Sequence, residues 1–103
     1  MTTLYVLAGP TASGKTALSV SLAQALDAEI LIVDSRQVYR GMDIGTAKPT
    51  AAERERVPHH GLDLRDPDED FSVAAFVDFA AQTISDIHRR GRRILLVGGT
   101  GMY

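Results

Sequence analysis

The chain has 103 residues, of which 45% are hydrophobic and 23% are charged, a composition typical of one globular domain. It contains no cysteine, which excludes disulfides and cysteine-based metal sites and fits a reducing cytoplasm. The net charge of −2 excludes the overall basic character of a nucleic-acid-binding domain, so any RNA contact would have to be local. No apolar run approaches the length of a membrane span.

The first elements are predicted to be a strand over residues 4–8, a glycine loop and a helix over residues 17–26. The loop and its first helical residues read GPTASGKT and match the phosphate-loop pattern GxxxxGK[ST]. In this order the loop N–H groups and the helix N-terminus converge on one anion. The motif predicts binding of a di- or triphosphate, without specifying ATP, and a chance glycine turn is the alternative. The predicted phosphate-binding residues are Gly9, Pro10, Thr11, Ala12, Ser13, Gly14, Lys15 and Thr16.

Two residues of this motif have distinct chemical roles. Lys15 supplies a positive charge for the outer phosphates. The hydroxyl of Thr16 is a candidate ligand for Mg²⁺, the cofactor that such a site implies.

Residues 29–34 (EILIVD) form a continuous apolar run, which predicts a central parallel strand buried on both faces. Asp34 then lies at the carboxyl end of this strand, where ligands bind in open α/β sheets. We expect this strand to lie next to the first one, which would place Asp34 beside the phosphate loop. Such an aspartate can hold magnesium or act as a general base. The alternative is an aspartate that only begins a turn.

Residues 35–49 have no clear periodicity and are interpreted as an active-site loop, with one helical turn near residues 35–40. Ser35, Arg36 and Gln37 follow Asp34 directly, and the amide of Gln37 could pair with the edge of an adenine. Taken alone, polar side chains after a strand are more often part of a solvated loop.

The second half of the chain predicts two helices and two strands. Thr50 and Glu53 have capping-box spacing and open a short helix that ends before Pro58, and residues 59–64 contain at most a short strand. Ser72 caps a long amphipathic helix that ends in an arginine cluster at residues 89–93. A second buried strand at residues 93–97 leads into a glycine turn.

Three further features of this half carry weaker signals. The glycine turn would bring Thr100 to the same sheet edge as Asp34, although a flexible turn is equally consistent with the spacing. His59 and His60 are adjacent and point in different directions, which favours a structural role over a metal site. The arginine cluster most simply complements the helix dipole, with phosphate contact as the alternative.

The pattern as a whole predicts an α/β fold with a P-loop NTPase-like parallel sheet and flanking helices. Because a glycine turn of this kind normally delivers another helix, residues 1–103 are interpreted as the N-terminal part of a longer catalytic domain, incomplete at the C-terminal end.

Five blocks together resemble bacterial tRNA dimethylallyltransferases, also known as the tRNA isopentenyltransferase family. They extend over the whole sequence in the family's order: residues 9–16, 34–39 (DSRQVY), 42–49 (MDIGTAKP), 58–61 (PHHG) and 98–103 (GGTGMY). The resemblance implies transfer of a dimethylallyl group from dimethylallyl diphosphate to N6 of the tRNA adenosine beside the anticodon, with release of diphosphate. It also implies a cytoplasmic enzyme that is monomeric at full length.

The resemblance implies roles for individual residues. The phosphate loop would hold the diphosphate leaving group, and Asp34 would take the proton from N6, with Thr100 as a second catalytic position. Asp34, Ser35, Arg36, Gln37 and Thr100 correspond to residues of the family that contact tRNA. The target base would have to be flipped out of its stack to reach them.

Three other functions remain open on the sequence. An adenylate isopentenyltransferase would share the loop, the acid and the donor, but blocks 34–39 and 42–49 resemble the tRNA enzyme in more detail. The phosphate loop alone would suit a small-molecule or nucleotide kinase. Residues 1–103 by themselves could bind phosphate and catalyse nothing.

Overall fold

The computed structural model describes residues 4–8, 15–34, 39–40, 49–66 and 71–98, without the side chains of Ala8, Lys15 and Thr16. Helices and strands alternate along the chain, as the sequence predicts. In order they are β1 (Leu4–Ala8), α1 (Lys15–Leu26), β2 (Ala28–Val33), α2 (Ala51–Arg56), β3 (His59–His60), α3 (Val73–Arg89) and β4 (Arg93–Gly98). Helix α1 begins two residues earlier than predicted, within the phosphate-loop motif.

Both predicted helix caps are present. The hydroxyl of Thr50 accepts a hydrogen bond from the N–H of Glu53, and the Glu53 carboxylate accepts one from the N–H of Thr50, at 3.2 and 2.8 Å. At the start of α3, the hydroxyl of Ser72 accepts a bond from the N–H of Ala75 at 3.1 Å. These bonds satisfy backbone donors that have no partner inside the helix, which fixes where each helix begins.

The four strands form one parallel sheet in the order β1-β4-β2-β3. The expectation that the first two strands are neighbours is therefore wrong, because β4 lies between them. The chain passes from β1 through α1 to β2, which lies two positions away in the sheet. It later returns from β3 through α3 to β4, which fills the position between β1 and β2. A buried apolar run such as β4 fits this central position because it is covered on both faces.

Helices cover both faces of the sheet. On one face, α1 packs through Val20 and Ala23 against strand residues that include Ile30, Leu95 and Val97. On the other, Ile87 of α3 packs against Leu31 and Ile94. The side chains alternate between the two layers along each strand, as pleating requires.

A third apolar cluster lies at the N-terminal end of α3. It contains the buried rings of Phe71 and Phe76, which meet edge to face with centroids 6.3 Å apart, and Val33, Tyr39 and Leu64 pack against them. Tyr39 pairs with Arg65 in a parallel bridge, and the Arg40 N–H donates to the Arg65 carbonyl at 2.8 Å. The helical turn expected near residues 35–40 therefore does not extend over Tyr39 and Arg40, because their backbone pairs with a distant segment.

Candidate functional site

Three predicted parts of the site begin at one edge of the sheet. Ala8 of β1 and Val33 of β2 both pair in register with Gly98 of β4, so the carboxyl ends of these strands are level. The phosphate loop follows Ala8, Asp34 follows Val33, and the glycine turn follows Gly98. Although β1 and β2 are not neighbours, the fold brings all three connections to the edge at which ligands bind in parallel α/β sheets.

Asp34 is buried at this edge, with 1% of its surface exposed. Carboxylates are rarely buried to this extent unless they are partnered or functional. The structure places Asp34 at the carboxyl edge of the sheet, directly after Val33, which packs against the cluster of Phe71 and Phe76.

The cluster of Phe71 and Phe76 also has a cationic contact. The guanidinium of Arg65 lies over the Phe71 ring, 4.9 Å from its centroid, and donates a hydrogen bond to the Leu64 carbonyl at 2.9 Å. Cation–π contacts of this kind contribute about 0.5–1 kcal/mol where water has access. Arg65 and the aromatic cluster carried no motif, so sequence reasoning did not find them.

Several predicted site residues lie outside the described residues. These are Gly9, Pro10, Thr11, Ala12, Ser13, Gly14, Ser35, Arg36, Gln37 and Thr100. Lys15 and Thr16 form the first turn of α1, whose N-terminus therefore directly follows the loop. The partial positive charge of a helix N-terminus favours an anion at that position.

The two adjacent histidines have structural partners, as predicted. The Nδ1 of His59 lies 2.7 Å from the Val57 carbonyl, to which it donates, and the Nε2 of His60 lies 2.8 Å from a carboxylate oxygen of Glu29. Burial lowers the pKa of His59, outweighing the bond to Val57, which raises it. Their different contacts follow from strand alternation, which directs neighbouring side chains to opposite faces.

The arginine cluster lies at the opposite edge of the sheet. Glu29, at the start of β2, is separated from Asp34 by five residues, or about 16 Å along a strand. Both NH groups of Arg90 donate to the Glu29 carboxylate, Arg89 pairs with Asp86 at 3.0 Å, and Arg93 donates to the Leu26 carbonyl. The arginines therefore have ion-pair and hydrogen-bond partners at this edge, and they do not contribute to the edge at which Asp34 lies.

Glu29 is a buried charged residue that sequence reasoning missed. Its exposure is 1%, and although burial raises the pKa of its carboxyl, hydrogen bonds from Arg90 and His60 more than compensate and lower it. The same contact raises the pKa of Arg90. A glutamate at the start of an apolar run gives no sign that it will be buried, because strand ends usually reach solvent.

Two negative findings apply to the described ranges. No group of three or more His, Cys, Asp or Glu residues is arranged there to hold a metal ion. Within the same ranges, no helix has both the length and the apolar character needed to cross a bilayer.

A parallel sheet covered by helices on both faces, with a glycine loop before α1 and a buried aspartate at the carboxyl edge, defines a P-loop-like α/β protein. The family model described as IPP transferase matches residues 37–103. The chain belongs to the IPP transferase family.

Its relatives are similar over the whole length of this chain. It is 63% identical over 103 residues to the tRNA dimethylallyltransferase of Roseiflexus sp. strain RS-1, covering 100% of this chain and 34% of the relative. It is 57% identical over 102 residues to the enzyme of the same name from Geobacter metallireducens, covering 99% and 33%. The chain thus spans about a third of the length of these relatives.

Solved structures support the same assignment. The full-length tRNA isopentenylpyrophosphate transferase of Bacillus halodurans matches with a TM-score of 0.90 and 57% identity, over 100% of this chain and 34% of that one. A eukaryotic dimethylallyltransferase described as acting on tRNA matches with a TM-score of 0.82 and 36% identity, over 94% and 24%.

Proposed function

We propose that this chain forms the donor-binding and proton-accepting part of a tRNA dimethylallyltransferase. The reaction transfers the dimethylallyl group of dimethylallyl diphosphate to N6 of adenosine 37, next to the tRNA anticodon. The observation that carries the proposal is the 63% identity to a tRNA dimethylallyltransferase along the whole chain. Asp34, which is buried where the carboxyl ends of β1, β4 and β2 lie at the same level, is the proposed proton acceptor.

The phosphate loop binds the diphosphate of the donor in this proposal. The loop amides and the N-terminus of α1 face the anion, and Lys15 neutralises charge that develops on the leaving oxygen. Diphosphate is therefore the leaving group at a site that in many other proteins holds a nucleotide.

Asp34 accepts the proton that the acceptor loses. As N6 of adenine attacks C1 of the allyl group, the C1–O bond to diphosphate breaks and its electron pair leaves with the diphosphate. The proton of N6 passes to the Asp34 carboxylate, which keeps the product amine neutral. In this proposal, Thr100 supplies a second polar contact to the acceptor, from the turn that follows Gly98.

Magnesium fits the chemistry of this edge. The ion prefers oxygen ligands and usually takes only one or two from protein, with phosphate oxygens and water completing its shell. The hydroxyl of Thr16 is the candidate protein oxygen, and a site of this kind needs no three-carboxylate cluster. When bound, magnesium offsets the negative charge of the diphosphate.

The acceptor in this proposal is tRNA, read at the polar segment Ser35, Arg36 and Gln37. The relatives named above are tRNA enzymes, which favours tRNA over the free adenylate that a cytokinin-forming enzyme would use. A tRNA acceptor also places the reaction in the cytoplasm. The base reaches Asp34 only if it is flipped out of the anticodon loop.

Donor binding is tested by calorimetry on residues 1–103 with dimethylallyl diphosphate and magnesium. Lys15→Ala is expected to weaken binding by at least about 1.5 kcal/mol, the lower range for a charge-assisted contact. Arg89→Ala removes an equal charge at the opposite sheet edge and should leave the affinity unchanged. Equal affinities of Lys15→Ala and the unaltered chain would contradict the proposed donor site.

The acceptor is tested in a chimera in which residues 1–103 replace the matched third of the Roseiflexus enzyme. The chimera is incubated with labelled donor and either unmodified tRNA or AMP. Label in tRNA is the expected result. Label in AMP with none in tRNA would assign the cytokinin-forming reaction instead.

A further inference from the structure

The two residues that flank the segment after β2 pack against one aromatic cluster. Val33 precedes this segment and Tyr39 follows it, and both side chains contact the cluster of Phe71 and Phe76. Between these two fixed points the chain has residues 34–38 (DSRQV). A segment that is tied down at both ends has fewer conformations than one with a free end.

The far end of this segment is also fixed by the main chain. Tyr39 pairs with Arg65 in a parallel bridge, and the N–H of Arg40 donates to the Arg65 carbonyl at 2.8 Å. Arg40 and Asp66 form an ion pair at 3.2 Å, but both side chains are more than half exposed, so this pair contributes little. The position of Tyr39 and Arg40 therefore depends mainly on how Arg65 is held.

The side chain of Arg65 ties this pairing to the aromatic cluster. Its guanidinium lies 4.9 Å from the centroid of the Phe71 ring and donates to the Leu64 carbonyl at 2.9 Å. Leu64 packs against the same cluster, and Phe71 meets the buried ring of Phe76 edge to face. Arg65 thus joins Tyr39, at the end of the segment, to a ring held at the N-terminal end of α3.

We propose that Arg65 is a positioning residue for the acceptor, acting through Phe71 and Tyr39 and not through contact with the acceptor itself. The inference rests on the proposed function, in which residues 35–37 contact tRNA. When both ends of the segment are fixed beforehand, less conformational freedom is lost as the acceptor binds. Donor binding should not depend on Arg65, because the phosphate loop belongs to the connection after β1.

The test is a double-mutant cycle in the chimera with the Roseiflexus enzyme, using labelled donor and unmodified tRNA. Arg65→Met keeps a long apolar side chain and removes the charge, whereas Phe71→Leu keeps a buried apolar side chain and removes the ring. Arg65→Lys retains a cation for the face of the ring. Arg89→Met is the matched control, because Arg89 pairs with Asp86 at the opposite edge of the sheet.

In Arg65→Met and in Phe71→Leu, the KM for tRNA is expected to rise about threefold, which is the effect of an exposed cation–π contact. The kcat and the dissociation constant of the donor should not change. Arg65→Lys should restore the KM, and Arg89→Met should leave it unaltered. Adding Arg65→Met to Phe71→Leu should have no further effect, because the two side chains act through one contact.

A direct contact between Arg65 and tRNA would give a different result and overturn the proposal. Arg65→Met would then raise the KM equally with and without Phe71→Leu, and it would reduce the salt dependence of the KM by about one phosphate contact. A purely structural role would lower the apparent kcat at an unchanged KM, which would also overturn the proposal.

The unaltered chimera separates this inference from the proposed function. If it labels tRNA and Arg65→Met has the same KM, the positioning role is wrong and the proposed function stands. If it labels AMP and not tRNA, both are wrong.

Discussion

Arg90, which follows the last residue of α3, holds the buried carboxylate of Glu29 at the start of β2 through two guanidinium NH groups. His60 donates to the same carboxylate from β3, at 2.8 Å. One buried charge thus joins α3, β2 and β3 at the sheet edge opposite Asp34. The pair holds α3 against the sheet at the end far from the candidate site.

Arg90→Ala is expected to destabilise the fold, because the buried Glu29 carboxylate loses both hydrogen bonds from Arg90. A buried charge that loses its partner is destabilising. Urea unfolding measures the change. Arg89→Ala removes an exposed pair with Asp86 and should cost less than about 0.5 kcal/mol. An equal decrease in the free energy of unfolding in the two variants would show that the contact with Glu29 stabilises the fold no more than the exposed pair does.

Gly61→Ala is expected to destabilise the fold by more than about 2 kcal/mol. Gly61 has a φ of +93°, and a Cβ there would lie 2.6 Å from the backbone oxygen of Ile32. Gly91 is the matched control: its φ is +76°, but a Cβ would meet nothing within 4 Å. Gly91→Ala should therefore cost only the backbone strain of about 1 kcal/mol. Thermal or urea unfolding of both variants separates the clash from the strain.

Stability is expected to fall as the pH drops below about 6.5, because of His59. Burial lowers the pKa of His59 in the folded chain below its usual 6.5. The unfolded chain therefore binds the proton first, so the stabilisation is complete above pH 6.5 and is lost as the pH falls through the folded pKa. Urea unfolding at several pH values across this range measures the slope of the free energy of unfolding against pH.

The slope should flatten in His59→Gln, whose amide can still donate to the Val57 carbonyl. His88→Gln, at an exposed position near the end of α3, is the control and should keep the slope of the unaltered chain. An unchanged slope in His59→Gln would assign the pH dependence to another group.

Asp34→Asn, in the chimera with the Roseiflexus enzyme, is expected to slow prenyl transfer by about a hundredfold or more. The amide keeps the shape of the side chain but cannot accept the N6 proton. Donor affinity, measured by calorimetry, should be retained. Loss of donor binding and of magnesium dependence would instead make Asp34 a metal ligand, and unchanged turnover would remove it from the mechanism.

The helices and strands could be predicted from the sequence because the residues that specify them lie close together in the chain. Thr50 with Glu53 and Ser72 mark the starts of α2 and α3 through hydrogen bonds that span three residues. The apolar run before Asp34 indicated a strand buried on both faces, and β2 is one. The resemblance carried by short motifs also identified the family, which the match to residues 37–103 confirms.

Only the tertiary structure decided how these elements are arranged. An apolar run shows that a strand is buried, but it does not name its neighbours, so the position of β4 between β1 and β2 was missed. The burial of Glu29 depends on Arg90, which is distant in sequence, and the need for glycine at position 61 depends on the Ile32 carbonyl. Residues that folding brings together from distant parts of the chain leave no periodic pattern in the sequence. The sequence alone therefore determined the helices, the strands and the family, whereas the packing of the helices and strands could be read only from the structure.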